Sequence, residues 1–449
     1  MRGRLAHRQG HACARREART FPGETDRDVN APPTATDRPR LPLAGLFVIA
    51  LLAFALRVAV AAKFQGLAAP PDAASTPDQL DYEAFAWSLA DGHGYALPDG
   101  TRTARRPPGT SVALLPVYWL RGRDFAAARI WFAALSAVAC LGAGLLAGEL
   151  FGRRAALLAA LALALLPNHF YYAQHFLSEV PYGAVIALCC WFGVRTLKRL
   201  EAGSAWLLPA LLTGLAFGAA LLTRPQVAFA GPVVLLGALL SPPAQRGVRV
   251  RAVVVVGIAS ALLLLPWMAR NQLLLGRPTL TTIGGFTFWG ANNGVIAADP
   301  ERVGSWMPVD TLVDAAHPLG DDEIANDAAT WRYGREWLAA NPGEIPRLLV
   351  MKLGRHFSAF RPTPNRAVYW SFAAGWLLVA PLVLLGLRRT WREARAGTLI
   401  LLAPVASTLV TALVFYGSIR FRDADAALYV VPAAAAVAAL LDRRRTRPA

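Results

Sequence analysis

Residues 41–62 read "LPLAGLFVIALLAFALRVAVAA", and this run decides the class of the fold. A helix needs about 20 predominantly apolar residues to cross the hydrocarbon layer of a bilayer, and this stretch supplies them. Further runs of the same character lie at 126–149, 155–173, 179–197, 205–222, 227–240, 252–269, 369–387, 398–416 and 427–441, of which 227–240 and 427–441 are short. None alternates apolar with polar residues, as the strands of a closed barrel do. The whole chain agrees. Its 449 residues are 55% hydrophobic and only 17% charged, with a mean hydropathy of +0.38, too apolar for a soluble protein of this size. The expected fold class is an all-α polytopic membrane protein, a helical bundle of roughly ten spans.

The net charge of +17 would suit nucleic acid, but its distribution points elsewhere. With the N-terminus in the cytoplasm, the basic residues collect in the inner segments: Arg2 to Arg40, Arg153 and Arg154, Arg195 with Lys198 and Arg199, Arg246 with Arg249 and Arg251, Arg388 to Arg395, and Arg443 to Arg447. This is the bias that sets membrane orientation. Both termini are then cytoplasmic, and the protein is expected in the cell membrane, with no nucleic-acid partner. Segments 63–125, 168–178, 223–226, 270–368 and 417–426 face outward, and long loops translocate despite their arginines. Cys13 lies in the tail and Cys140, Cys189 and Cys190 lie inside spans, so no outer disulfide framework is implied. Residues 1–40, rich in Arg, Pro, Thr and Asp, read as a disordered basic tail before a retained anchor.

Unusual polar residues gather on the outward side, in "PDQLDY" (77–82), "RRPPG" (105–109), "NHFYYAQHFLSE" (168–179), "LTRPQ" (222–226), "PWMARN" (266–271) and "IRFRD" (419–423). Ionisable side chains at such depth are costly, about 2.5–3.5 kcal/mol each at a helix centre and less near the interface, so their convergence suggests a site. From Asp78, residues Tyr82, Phe85, Ala86 and Leu89 follow at helical spacing. They predict a short helix stopped by Gly92 or Gly94, lying on the membrane surface or against the bundle. Spacing alone favours Asp78 as its N-cap, worth about 1 kcal/mol, with Asp81 a solvated neighbour. An N-cap carboxylate can also act as a base.

Arg105 and Arg106 suit an interfacial anchor or a phosphate. Glu179 opens a span, where capping is as good an account as chemistry. Arg224, before Pro225, sits in a loop too short to keep it from the bundle interior. Arg270 ends a span, and Arg420 and Arg422 follow one, positions from which arginines usually snorkel to headgroups. His169 and His175 lack any metal-ligand spacing. The pairs Gly144/Gly148 and Gly214/Gly218 read as close helix packing. Phosphate-binding loops and dinucleotide fingerprints are missing, so no nucleotide cofactor is expected. Segment 270–368 is long for a connector and therefore functional. It holds a helical pattern at 322–340 and an interfacial helix at 345–360 with Leu348, Leu349, Leu353, Phe357 and Phe360 on one side. Lys352, elsewhere on that helix, could guide a lipid phosphate.

Asp78 four residues before Tyr82, followed by "AFAWSLADGHGY" (84–95) and "RRPPG", resembles the first outer loop of the GT-C membrane glycosyltransferases. The branch it is most similar to holds the bacterial relatives of the protein O-mannosyltransferases and of the lipid A aminoarabinose transferase. The likeness continues through "LFGRRAALLAALALALLP" (150–167), "SE" (178–179), "PWMARN", "GGFTFWGANN" (284–293), "EWLAANPGEIPRLLVMKLGR" (336–355) and "RFR" (420–422). After the last motif "DADAALYVV" departs from the proline-containing run usual in the family. The expected organisation is a tail at 1–40, a GT-C module over 41–270 with outer loop 63–125, an outer-face segment over 271–368 and C-terminal spans over 369–449, with the resemblance covering most of 41–425.

The resemblance implies a polyprenyl-phosphate-sugar donor and a hydroxyl-bearing acceptor in the envelope, with transfer on the non-cytoplasmic face. Asp78 matches the family's catalytic base, with Asp81 in reserve. Arg270, Arg106, Arg224, Lys352 and Arg420 are candidates to hold the leaving phosphate, and Glu179 to orient an arginine or bind sugar. A divalent metal stays open, since some relatives use one and others do not. The rival classes are a lipid-linked-sugar transporter or flippase, which should show repeated halves with broken helices, and a non-catalytic scaffold, which should be indifferent to loss of Asp78.

Overall fold

The computed structural model describes residues 41–73 and 76–445, so the basic tail at 1–40 lies outside the described residues. The described chain is helical, with no strand among the described residues beyond one isolated bridge between Ala96 and Arg102. The helices are α1 (Leu43–Phe64), α2 (Asp78–Ala90), α3 (Gly109–Arg121), α4 (Phe125–Leu165), α5 (Pro167–Gln174), α6 (Glu179–Glu201), α7 (Leu207–Thr223), α8 (Ala230–Leu239), α9 (Pro243–Leu275), α10 (Gly284–Ala291), α11 (Gly294–Ala298), α12 (Glu323–Ala340), α13 (Ile345–Phe357), α14 (Arg366–Glu393), α15 (Arg395–Val414), α16 (Ile419–Ala424) and α17 (Ala426–Arg445).

Seven of them, α1, α4, α6, α9, α14, α15 and α17, are long and apolar enough to cross a membrane. The shorter α7 and α8 add apolar helices at two more of the expected spans. The helix α4 accounts for two expected spans. Gly152 breaks it at φ 81°, a conformation glycine alone adopts freely. Added methyls at Gly144 and Gly148 would strike Ala156, and Gly144 also approaches Ala160, so the two halves of α4 fold back on one another. Gly214 and Gly218 likewise let α7 meet the backbone of α9 at Val256 and Ser260. Both glycine pairs thus bring helices close.

Large apolar side chains such as Phe47, Leu51, Ile258, Leu262, Leu378 and Leu384 are exposed on the outer faces of α1, α9 and α14. A chain that turns leucine and phenylalanine outward along whole helices is matched to lipid rather than water. The interior instead holds small residues, among them Ala139, Ala143, Ala147, Ala155, Ala159 and Ala427, which permit close helix approach. The result is an all-α polytopic protein.

One charge is fully buried near the middle of this packing. Arg57 of α1 donates to Ser136 Oγ (2.5 Å) and to the carbonyls of Leu163 (3.1 Å) and Ala164 (3.1 Å). Those carbonyls belong to the last turn of α4, where Pro167 cannot donate and the Leu166 amide reaches only Leu163, at 3.4 Å. Arg57 is therefore a built-in cap for a neighbouring helix.

The outer elements are packed against the bundle. Helix α2 buries Tyr82, Phe85 and Ala86, the face its spacing predicts, and chooses the bundle over the membrane surface. In α13 the buried stripe is Leu348, Lys352 and His356, while Leu349, Val350 and Phe357 are exposed. The expected grouping of Leu348 with Leu349 and Phe357 is thus split, because the protein covers the Lys352 side and leaves the apolar side outward.

At the start of α3, a Cβ on Gly109 would lie 2.4 Å from Thr223 Oγ1 and 2.7 Å from the Thr223 backbone nitrogen. A rigid helix end cannot retreat as a side chain can. Gly109→Ala is expected to cost about 1–3 kcal/mol and to lower the thermal midpoint in detergent. Gly354→Ala, which meets nothing within 4 Å, should leave that midpoint unchanged or raised.

Candidate active site

The end of the bundle where α2 and α6 begin carries a chain of alternating charges. Asp78 and Asp81 occupy the first turn of α2, three residues apart and so on one face. Asp78 is not the N-cap that its spacing favoured. Pro77 holds the cap position, no side chain caps the helix, and the Asp78 carboxylate turns to two arginines instead. Arg106 Nη2 reaches Asp78 Oδ1 at 2.9 Å, and Arg106 Nε reaches Asp81 Oδ2 at 2.9 Å. Arg420 Nη1 donates to Asp78 Oδ2 at 2.8 Å, and its Nε donates to Glu179 Oε1 at 2.7 Å. Arg224 Nη1 lies 3.3 Å from the same Glu179 oxygen and donates to Ser178 Oγ at 2.9 Å.

Each side chain is delivered by a different element. Arg106 precedes the two prolines that fix the approach to α3, and the Tyr95 hydroxyl donates to its carbonyl at 3.0 Å. Glu179 begins α6, where the helix dipole favours an acid. Arg224 ends α7 with extended backbone, as a residue before proline must. Arg420 lies in the short α16, whose start is capped by Ser418 Oγ accepting from the Arg420 amide at 3.2 Å.

Burial alone would raise the Asp78 carboxyl. The guanidinium groups of Arg106 and Arg420, with Arg224 further off, outweigh it and hold that carboxyl well below the usual carboxylate range. Burial equally opposes charge on Arg106 and Arg420, but the carboxylates beside them keep both charged.

These residues border a cavity of about 200 Å³, lined by Asp78, Arg106, Arg224 and Arg420 with Tyr82, Ser178, Gln226, Thr281, Thr287 and Tyr416. Of these, Thr281 and Thr287 come from the long outer segment. Arg106, Arg224 and Arg420 each keep one guanidinium nitrogen, Nη1 in the first and Nη2 in the others, with no hydrogen-bond partner among the described residues. A cavity of about 190 Å³ among α6, α7, α8, α9 and α15 is mostly apolar and lies at the opposite end of those helices.

Six of the candidate residues, Asp78, Asp81, Arg106, Glu179, Arg224 and Arg420, therefore stand together. The remaining two stand apart. Arg270 donates to the carbonyls of Tyr95 (2.7 Å) and Thr103 (2.8 Å), pinning the first outer loop to the end of α9. Lys352 is buried and donates to Asn292 Oδ1 (2.7 Å), Leu413 O (3.1 Å) and Val414 O (3.3 Å). Burial pushes its ammonium down to about 8, and its contacts cap the C-terminus of α15, just before the loop that carries Arg420.

Arg422 is fully buried against Asp423 and Trp376 rather than on the cavity. Sequence reasoning missed Gln226, Thr281, Thr287 and Tyr416, which carry no spacing signal of their own. No group of three His, Cys, Asp or Glu side chains that could hold a metal ion occurs among the described residues. Asp78, Asp81 and Glu179 each pair with at least one arginine, so the cavity offers no cluster of free carboxylates to a divalent cation.

The family described as dolichyl-phosphate-mannose-protein mannosyltransferase matches residues 105–269. No curated protein matches the chain. Among solved structures, the archaeal oligosaccharyltransferase AglB from Archaeoglobus fulgidus, in complex with an inhibitory peptide and a dolichol-phosphate, superposes with a TM-score of 0.53 at 15% identity, covering 89% of this chain and 50% of that one. The Archaeoglobus fulgidus oligosaccharyltransferase in complex with Zn and sulfate gives 0.52 at 16% identity, covering 89% and 49%. ArnT from Cupriavidus metallidurans, bound to undecaprenyl phosphate, gives 0.40 at 16% identity, covering 89% and 79%. The chain spans about half the length of the archaeal enzymes. The superposition on AglB gives the chain a GT-C-type membrane fold, within which residues 105–269 are similar to the dolichyl-phosphate-mannose-protein mannosyltransferase family.

Proposed function

We propose that this protein transfers a sugar from a polyprenyl-phosphate-linked donor to a hydroxyl of an envelope glycan, lipid or protein, on the non-cytoplasmic face of the cell membrane and with inversion. The observation that carries this reading is the trio Arg106, Arg224 and Arg420, brought from three separate segments to one cavity beside Asp78. A phosphate leaving group needs positive charge held in place before reaction, and bidentate guanidinium groups supply it. Asp78 takes the proton of the acceptor hydroxyl, a role typically worth about 10²–10⁴ in rate. The acceptor oxygen bonds to the anomeric carbon as the bond from that carbon to the phosphate oxygen breaks on the opposite side.

Glu179 orients Arg420 and Arg224, both of which it touches. Asp81 steadies Arg106 from the far side of Asp78. Arg270 and Lys352 serve the same cavity indirectly, by fixing the loops that bear Arg106 and Arg420. Segment 271–368, which contributes Thr281, Ile283 and Thr287 to the lining, selects the acceptor. Both termini are cytoplasmic in this reading, in line with the basic inner segments.

Asp78→Asn keeps the shape of the side chain and removes its basicity. Reconstituted wild-type protein should release polyprenyl phosphate from one member of a panel of polyprenyl-phosphate sugars in the presence of membrane-extract acceptors. Asp78→Asn should be slower by at least about 100-fold. Equal turnover by the two would remove Asp78 from the chemistry.

Asp78 also links stability to pH. Its folded carboxyl is held below the ordinary value of 3.8. The stabilisation is therefore fully present above that value and is lost as pH falls through the lower, folded one. On moving from about pH 6 to about pH 3, the thermal midpoint of wild type should fall more than that of Asp78→Asn. Parallel curves would show that the pairing contributes nothing to stability.

A further inference from the structure

At the cavity three carboxylates, Asp78, Asp81 and Glu179, face guanidinium groups of Arg106, Arg224 and Arg420, with the half-exposed Arg105 also 3.8 Å from Asp81. In this state the base of the proposed reaction is the most heavily engaged member. Asp78 spends one oxygen on Arg106 and the other on Arg420, both within 2.9 Å. A carboxylate so held has little appetite for a proton, and a general base works best with a basicity near the operating pH. The cavity as it stands has its base disarmed.

We propose, resting on the donor assigned above, that the donor's phosphate is what arms Asp78: it takes Arg420 and Arg106 from the carboxylate and leaves the base free only in a loaded site. The unpartnered guanidinium nitrogens on Arg106, Arg224 and Arg420 give the anion its first landing. Arg420 is the arginine able to move its bond, since Glu179 holds it independently through Nε at 2.7 Å while Nη1 is the only atom it gives to Asp78. Arg106 has the same freedom, kept in place by Asp81. Each bridging arginine thus has one anchor and one bond to exchange, and in both cases the exchangeable bond is the one to Asp78. Two effects then act in the same direction on the released carboxylate. Its cationic partners turn away, and an anion arrives beside it, and both favour taking a proton. An empty site cannot deprotonate water or a stray hydroxyl efficiently, which restricts turnover to sites that hold donor.

Competition makes a prediction that a fixed phosphate cradle does not. Removing the Asp78 charge should tighten binding of the phosphate even as it abolishes turnover. Wild type, Asp78→Asn, Asp78→Ser and Asp81→Asn would be placed in lipid nanodiscs and titrated with a synthetic fluorescent polyprenyl phosphate, with the thermal midpoint of each recorded. Asp78→Asn and Asp78→Ser should bind at least about tenfold more tightly than wild type. Asp81→Asn, which removes the same unit of charge without touching Arg420, should gain much less. Arg420→Ala should lose more affinity in the Asp78→Asn background than in wild type, because only in wild type is that arginine already spoken for.

Unchanged or weaker binding by folded Asp78 variants, with wild type still binding, overturns the release while leaving the donor assignment intact. Equal tightening by Asp78→Asn and Asp81→Asn is a general field effect and also overturns it. If neither wild type nor any variant binds the probe, the donor assignment falls and the proposal falls with it.

Discussion

The interaction on which the outer half of this structure depends is the run Asp81–Arg106–Asp78–Arg420–Glu179–Arg224. Its links are 3.3 Å or shorter, and it joins α2, the approach to α3, the start of α6, the end of α7 and α16. Arg420 and Asp78 are 342 residues apart in the sequence. Each of these charges would be expensive to hold at the end of an apolar bundle by itself, and losing one partner of a buried pair typically costs about 3–5 kcal/mol. Alternation solves the problem cooperatively, because every member is flanked by the opposite sign. The helices are therefore tied at this end by charge as well as by the apolar cluster of Ala86, Leu114, Phe132, Phe176 and Phe372, and the charged residues that bear the desolvation cost of the cavity also surround it.

A second set of cations behaves differently. Arg57, Arg270 and Lys352 donate mainly to backbone carbonyls: Leu163 and Ala164, Tyr95 and Thr103, Leu413 and Val414. In the first and third cases these are the terminal carbonyls of a helix, which need donors when no water can supply them. A cation in such a place cannot be lent to a substrate without orphaning the helix end it serves. Arg106 and Arg420 have no such duty, since their side-chain partners are carboxylates that another anion can replace. What distinguishes a binding arginine from a structural one here is the kind of oxygen it touches.

That distinction explains what was legible beforehand. Spans follow from length and hydropathy alone, so the ten runs reappear as helices, with α4 broken at Gly152 between two of them. The outward gathering of Asp78, Arg106, Glu179, Arg224 and Arg420 was legible as a concentration of costly residues at span ends. Arg270 and Lys352 fitted the same description, and nothing in their spacing shows that carbonyls from distant loops will claim them. Asp78 looked like a cap because an acid at a helix start usually is one, and only the partners supplied from 28 and 342 residues away change that account. Tyr416 and Thr281 sit on loops, where periodicity has nothing to say.

The charge run is neutral, yet the cavity need not be indifferent to an anion. Helix α2 begins at Asp78 and α6 begins at Glu179, so two helix N-termini point at the same place. Each contributes the equivalent of up to roughly half a positive charge from its aligned peptide dipoles, a contribution that no titration removes. The dipoles make it favourable for acids to occupy these positions, and they act on whatever replaces those acids as arginine partners. In the proposed reaction an oxygen leaving the anomeric carbon beside Asp78 and Glu179 would gather its negative charge close to both helix starts, whose dipoles are fixed by the backbone. Cancelling the side-chain charges and leaving the backbone dipoles uncancelled lets the site stay stable when empty while still favouring the anion that the proposed reaction creates.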